Sequence, residues 1–184
     1  MRNKYRVLSF IVTLLFIIGW TWLVSLLGAS GIISYVGANN IFIIAFITAA
    51  VGGASIFTSV SYYTFIATLT HSDINIFLLS IVMGTGMMVG DSLFFFLGKE
   101  TRVLLPQRVR KHVDGIVDWT ARQHDVLIFF VALLWAGIVP VPNDILTVGG
   151  GIASIKWYIL LPGLWIGNIL FIYLFATVAV PLVV

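Results

Sequence analysis

Residues 135–153 read WAGIVPVPNDILTVGGGIA, and the fold depends on how that stretch sits in a membrane. It is apolar enough to enter a bilayer, yet it holds Pro140, Pro142, Asp144 and the run Gly149, Gly150, Gly151. Each proline lacks a backbone donor, and inside a helix its ring clashes with the carbonyl one turn earlier. Val139 and Val141 precede prolines and are pushed toward extended geometry. The three glycines permit close backbone approach or a second break. The stretch predicts a helix–break–helix hairpin over 126–155 that enters the bilayer and returns. Irregular backbone survives at membrane depth only where protein buries it or a wet cavity faces it. Asp144, inside the break, is therefore a candidate for function.

Composition agrees with a membrane setting. The 184 residues are 60% hydrophobic and 9% charged, with a mean hydropathy of +1.11; soluble domains average about 25% charged. One integral membrane domain spanning 1–184 is the expectation. The absence of cysteine excludes disulfides, thiolate catalysis and cysteine zinc sites. His71, His112 and His124 show no metal-ligand spacing, so neither a metal nor a cofactor is expected. No Ser/His or His/Glu cluster and no phosphate-cradling glycine loop stands at one depth, which argues against an enzyme. Nothing suggests a nucleic-acid partner.

Charge sets the topology. Residues 7–27 form a first apolar span behind Arg2, Lys4 and Arg6, which hold the N-terminus in the cytoplasm. Residues 41–69 are apolar but interrupted by Gly52 and Gly53; they are too short for two crossings of roughly 20 residues each and longer than one needs. Residues 76–98 form the next span and 157–180 the last. Between them, 99–125 carries Lys99, Arg102, Arg108, Arg110, Lys111 and Arg122. The positive-inside tendency places this basic segment in the cytoplasm, which requires 41–69 to dip and return. The expected order is three spans, two opposed re-entrant hairpins and a cytoplasmic amphipathic helix, an inverted-repeat-like, all-α plan. Within the basic segment, Pro106 is placed to open that helix, with Arg110/Asp114 and Asp118/Arg122 as pairs four residues apart. Such a helix on the inner surface would meet anionic lipid.

The motifs then fall in a definite order. Gly86-x-x-x-Gly90-Asp91-x-x-x-Phe95-x-x-Gly98-Lys99 precedes the basic segment; Pro140-x-Pro142-x-Asp144, the glycine run and Trp165-x-Gly167-Asn168 follow it. This order, over roughly residues 82–171, resembles the DedA family, also called the VTT or SNARE-associated Golgi protein family. The resemblance implies facing re-entrant hairpins, membrane lipids as partners, and movement or scrambling of phospholipids or a polyprenyl phosphate between leaflets. It also implies the plasma (inner) membrane if the source is prokaryotic. Two features depart from the family pattern. Gly137 stands where members carry an arginine three residues before the proline, and residues 52–69 lack the family's glutamates and prolines.

The candidate path residues are Asp144, Asp91, Asn143, Pro140, Pro142, Thr147, Lys99 and Asn168. Asp91 is expected about seven residues inside the cytoplasmic end of its span, where a carboxylate needs a partner, water or a proton. Ser92, Lys99 or a hairpin N–H are its structural alternatives. Asp144 alternatively caps the helix that follows it. Asn168 alternatively serves as helix–helix glue. Lys99 and Lys156 mark the inner interface and could each offer a cation to a lipid phosphate. Gly86, Gly90, Gly98, Gly149, Gly150 and Gly151 are read as close-packing or hinge positions. Two other functional classes stay open: a small-solute or drug exporter acting as a homo-oligomer, and a non-transporting membrane scaffold.

Overall fold

The computed structural model describes residues 15, 22, 41–52, 59–70, 74–107, 114–115, 117–120, 122–139 and 143–179. The predicted span 7–27, apart from two positions, and Pro140 and Pro142 lie outside them. The described residues are helical, with no strand among them. Among the described residues the bounded helices are, in order, α1 (Ile41–Gly52), α2 (Ser59–Thr70), α3 (Ile76–Leu104), α4 (Asp125–Ile138), α5 (Asp144–Ile152) and α6 (Trp157–Leu174). A π-helical turn, Phe175–Ala179, extends α6. Two helical stretches, Ile76–Arg102 and Trp157–Val178, are long and apolar enough to cross a bilayer.

Helix α3 is the axis of the molecule. Asn75 starts it: the Asn75 side-chain oxygen accepts the Leu78 N–H at 3.0 Å. The helix then runs 29 residues, about 43 Å at the usual rise. That exceeds a hydrocarbon core of about 30 Å, and the basic residues fall in its last turns. The helix continues past the expected span end at Gly98 to Leu104, because Lys99, Glu100 and Arg102 belong to the same helix. Hydroxyls along α3 bond within it: Ser80, Thr85, Ser92 and Thr101 each donate to the carbonyl four residues back. No water is needed to satisfy them.

Each half of α3 carries a different pair of helices. Toward its start, Leu79, Met83 and Met87 pack with Ile44, Ala45 and Ala49 of α1 and Tyr62, Phe65, Ile66 and Leu69 of α2. Gly86 lets α1 close in, since a Cβ there would strike the Phe46 carbonyl. The Tyr62 hydroxyl meets Met87 Sδ at 3.1 Å. The inner ends of α1 and α2 thus both reach the middle of α3. Toward its other end, Phe95 packs with Ala132 and Ala136 of α4 and Leu160, Leu161 and Leu164 of α6. Glycines again set the approach: a Cβ on Gly98 would strike the Val148 carbonyl, and one on Gly151 the Phe95 carbonyl. Between α4 and α6, Gly163 and Gly167 lie against the carbonyls of Phe129 and Leu133. Such glycine-mediated, backbone-close packing is the kind that joins helices in lipid.

Helix α6 runs antiparallel to α3, as the contacts Asp91–Asn168 and Phe77–Tyr173 require. It also runs parallel to α4, since Gly163 meets Phe129 and Gly167 meets Leu133. Pro162 inside α6 cannot donate to the carbonyl one turn earlier.

Several boundaries differ from expectation. Helix α4 starts at Asp125 and ends at Ile138, where Val139 leaves the helix with φ −85° and ψ 118°, the extended geometry a following proline demands. The glycine run does not break α5: Gly149, Gly150 and Gly151 are all helical. Gly149 is exposed, and a Cβ added there would meet open space. Gly150 packs on the Leu160 side chain, and Gly90 is buried within α3.

Candidate functional site

The site lies where the two α3 packing zones meet. Because Val139 leaves helix and the chain resumes it at Asp144, Asn143 occupies the turn between α4 and α5. Its carbonyl accepts the Thr147 N–H at 2.8 Å and the Thr147 hydroxyl at 3.0 Å, which fixes the turn. Its side chain is then free to point away from α5. Asn143, not Asp144, is the N-cap residue, and it makes no side-chain cap bond. Asp144 is the acidic residue of the first turn, half-buried, with its carbonyl accepting the Thr147 hydroxyl at 3.3 Å.

Asp91, Asn143 and Asn168 close a triangle. Asn143 Nδ2 donates to Asp91 Oδ2 at 3.1 Å and to Asn168 Oδ1 at 3.0 Å. Asn168 Nδ2 donates to the same Asp91 Oδ2 at 3.0 Å. All three residues are buried, Asp91 completely, and Thr147 is buried beside them. Asp91 Oδ1 is buried and accepts no hydrogen bond among the described residues. A buried carboxylate is costly unless it is paired or hydrogen-bonded. Here one oxygen is satisfied twice, and the other remains able to take a proton, a water or a cation. Nearby on α3, the Trp165 indole N–H donates to Thr85 Oγ1 at 3.2 Å.

Four predicted residues therefore converge: Asp91, Asn143, Thr147 and Asn168. The expected partners of Asp91 are replaced. The Ser92 hydroxyl goes to the Met88 carbonyl, and Lys99 is exposed about 12 Å further along the helix. Asp91 also lies near the centre of α3 and not close to its end. At Gly137 the backbone packs against Gly167 and Leu170, so α6 occupies the space an arginine would need on that side.

The basic end holds groups that residue spacing alone does not reveal. Lys156 Nζ meets both Asp125 carboxylate oxygens at 2.8 Å, so it is an ion-pair partner and not a lone interfacial cation. That pair raises the Lys156 pKa above the usual lysine value, chiefly through the hydrogen bond to Asp125. Arg102 donates to Ser154 Oγ at 2.6 Å and to Asp114 Oδ1 at 2.8 Å. Asp114 thus pairs with Arg102; its expected partner Arg110 lies outside the described residues. Ser154 adopts φ 55°, which turns the chain out of α5 toward α6. These partners stand 31, 52 and 12 residues apart; the sequence singled out Lys156 as an interface cation, but Arg102 only as one of the cations of the basic segment. No family model, curated protein or solved structure matches the chain.

Proposed function

We propose that the protein is a DedA-type membrane transporter that moves or scrambles lipids, phospholipid or polyprenyl phosphate, between leaflets. In this reading α1–α2 and α4–α5 are re-entrant hairpins entering from opposite faces, with 7–27, α3 and α6 as spans and the N-terminus in the cytoplasm. The support is geometric: Ala49 and Tyr62 reach Gly86 and Met87 from one end of α3, and Asn143 reaches Asp91 from the other.

The observation that carries the proposal is the Asp91 carboxylate, wholly buried at the middle of α3 and bonded to the hairpin turn and to α6. An ionisable group at bilayer depth costs roughly 2.5–3.5 kcal/mol on insertion scales. A chain that carries it there has a use for it, and breaking its bonds to Asn143 frees the hairpin to move. Fluorescent-lipid scrambling in proteoliposomes tests the proposal. The wild type should exceed protein-free vesicles, and Asp91→Asn should return the rate to that baseline. A wild-type rate equal to empty vesicles sinks the transport reading. The closed amide triangle also favours a scaffold reading, in which Asp91 only pins the hairpin. That reading gains if Asp91→Asn loses thermal stability while wild-type scrambling is absent.

A further inference from the structure

A second polar feature stands at the basic end of the molecule, away from Asp91. A cavity of about 140 Å³ opens between the basic segment, the start of α4 and the corner joining α5 to α6. That volume equals the space of roughly five waters. Val117 and Ile128 give it an apolar wall, Thr120, Gln123 and Ser154 line it with polar groups, and the Asp125–Lys156 ion pair belongs to it. Both charges are about half-exposed, so each keeps a face for a visitor. Exposed Trp119, Trp157 and Tyr158 lie within a few residues of the lining, the residue types that settle at headgroup level.

We infer that this cavity binds the zwitterionic headgroup of an aminophospholipid, phosphoethanolamine being the chemistry that fits, with Lys156 receiving the phosphate and Asp125 the ammonium. Charge complementarity selects this occupant. A purely anionic headgroup would meet Lys156 but bring a like charge against Asp125, whereas a zwitterion inserts into an ion pair with no net charge left over. The cavity holds a headgroup and not an acyl chain, which the surrounding bilayer accommodates. This assignment is independent of the transport reading and of Asp91.

The test is lipid retention by the purified full-length protein, exchanged into an equal mixture of phosphatidylethanolamine and phosphatidylglycerol and read by native mass spectrometry. Wild type should retain phosphatidylethanolamine over phosphatidylglycerol by about fivefold, the scale of one exposed ion-pair contact. Asp125→Asn should bring the ratio to about one or invert it, and Lys156→Gln should lower retention of both lipids. A purely structural ion pair would weaken the fold in both variants without moving the ratio. Val117→Trp fills the cavity while leaving the ion pair in place and should remove the preference. Equal retention of both lipids by wild type, or an unchanged ratio in Val117→Trp, overturns the assignment. So does displacement of the lipid by soluble phosphoethanolamine at matched concentration, which would make the site one for a free metabolite. Retention requires no transport, so its failure and the failure of scrambling are separate results.

Discussion

Asn143 and Asp91, 52 residues apart in the chain, meet at 3.1 Å inside the molecule and tie the turn between α4 and α5 to the middle of α3. Asn168 completes the tie, donating to the same carboxylate oxygen. The bond is costly to lose, because all three side chains are buried and a freed partner is left unsatisfied.

Asn168→Leu removes a donor to Asp91 and an acceptor for Asn143 while keeping the volume. It should destabilise the protein by about 1–3 kcal/mol, the cost of leaving buried polar groups unsatisfied. Asn143→Leu should cost a similar amount, and the double variant should cost less than the sum, since both act on one network. Thermal melts in detergent, read as a double-mutant cycle, check this. Strict additivity would mean that the three side chains do not act together.

The glycines should separate sharply. Gly151→Ala and Gly98→Ala force a Cβ into backbone carbonyls and should reduce folded yield, because neither α3 nor α5 can retreat without opening the Asp91 cluster. Gly149→Ala meets open space in mid-helix and should stabilise by about 0.5–1 kcal/mol through helix propensity. Size-exclusion profiles and melting temperatures distinguish the three. A Gly149→Ala variant as damaged as Gly151→Ala would contradict the packing.

Lys156 gives the alkaline signature. Its pKa is higher folded than unfolded, so its contribution is full below the unfolded value and is lost as pH rises through the folded one. The melting-temperature gap between wild type and Lys156→Gln should therefore hold at neutral pH and close in strongly alkaline buffer. A gap that widens with pH would reverse the sign and remove the ion pair from the account.

Topology can be read directly, because the chain has no cysteine of its own. A single cysteine at Thr70 should react with an impermeant maleimide from outside intact cells. One at Gly115, exposed with open space around it, should react only after the membrane is opened. Labelling of Gly115 from outside with Thr70 protected would mean that residues 41–69 cross fully.

Much of the architecture was legible in the residues. Apolar runs marked the long helices, and Val139 left its helix where a following proline requires it. The end of α3 was not legible, because Lys99 to Leu104 read as polar surface yet continue the same helix. The glycine run allowed either close approach or a break; Gly150 and Gly151 pack against Leu160 and Phe95 with their backbone helical.

By itself the sequence determined that the chain is built of helices, two of them long and apolar enough to cross a membrane, and that Asp91, Asn143 and Asn168 are polar groups in apolar surroundings. Periodicity and hydropathy are properties of neighbours in the chain, and they suffice for that. Only the tertiary structure decided that those three meet, that Lys156 is taken by Asp125, and that Arg102 ties Ser154 to Asp114. Such pairings span from 12 to 77 residues, and they depend on how closely glycine-lined backbones approach, which one-dimensional spacing does not encode.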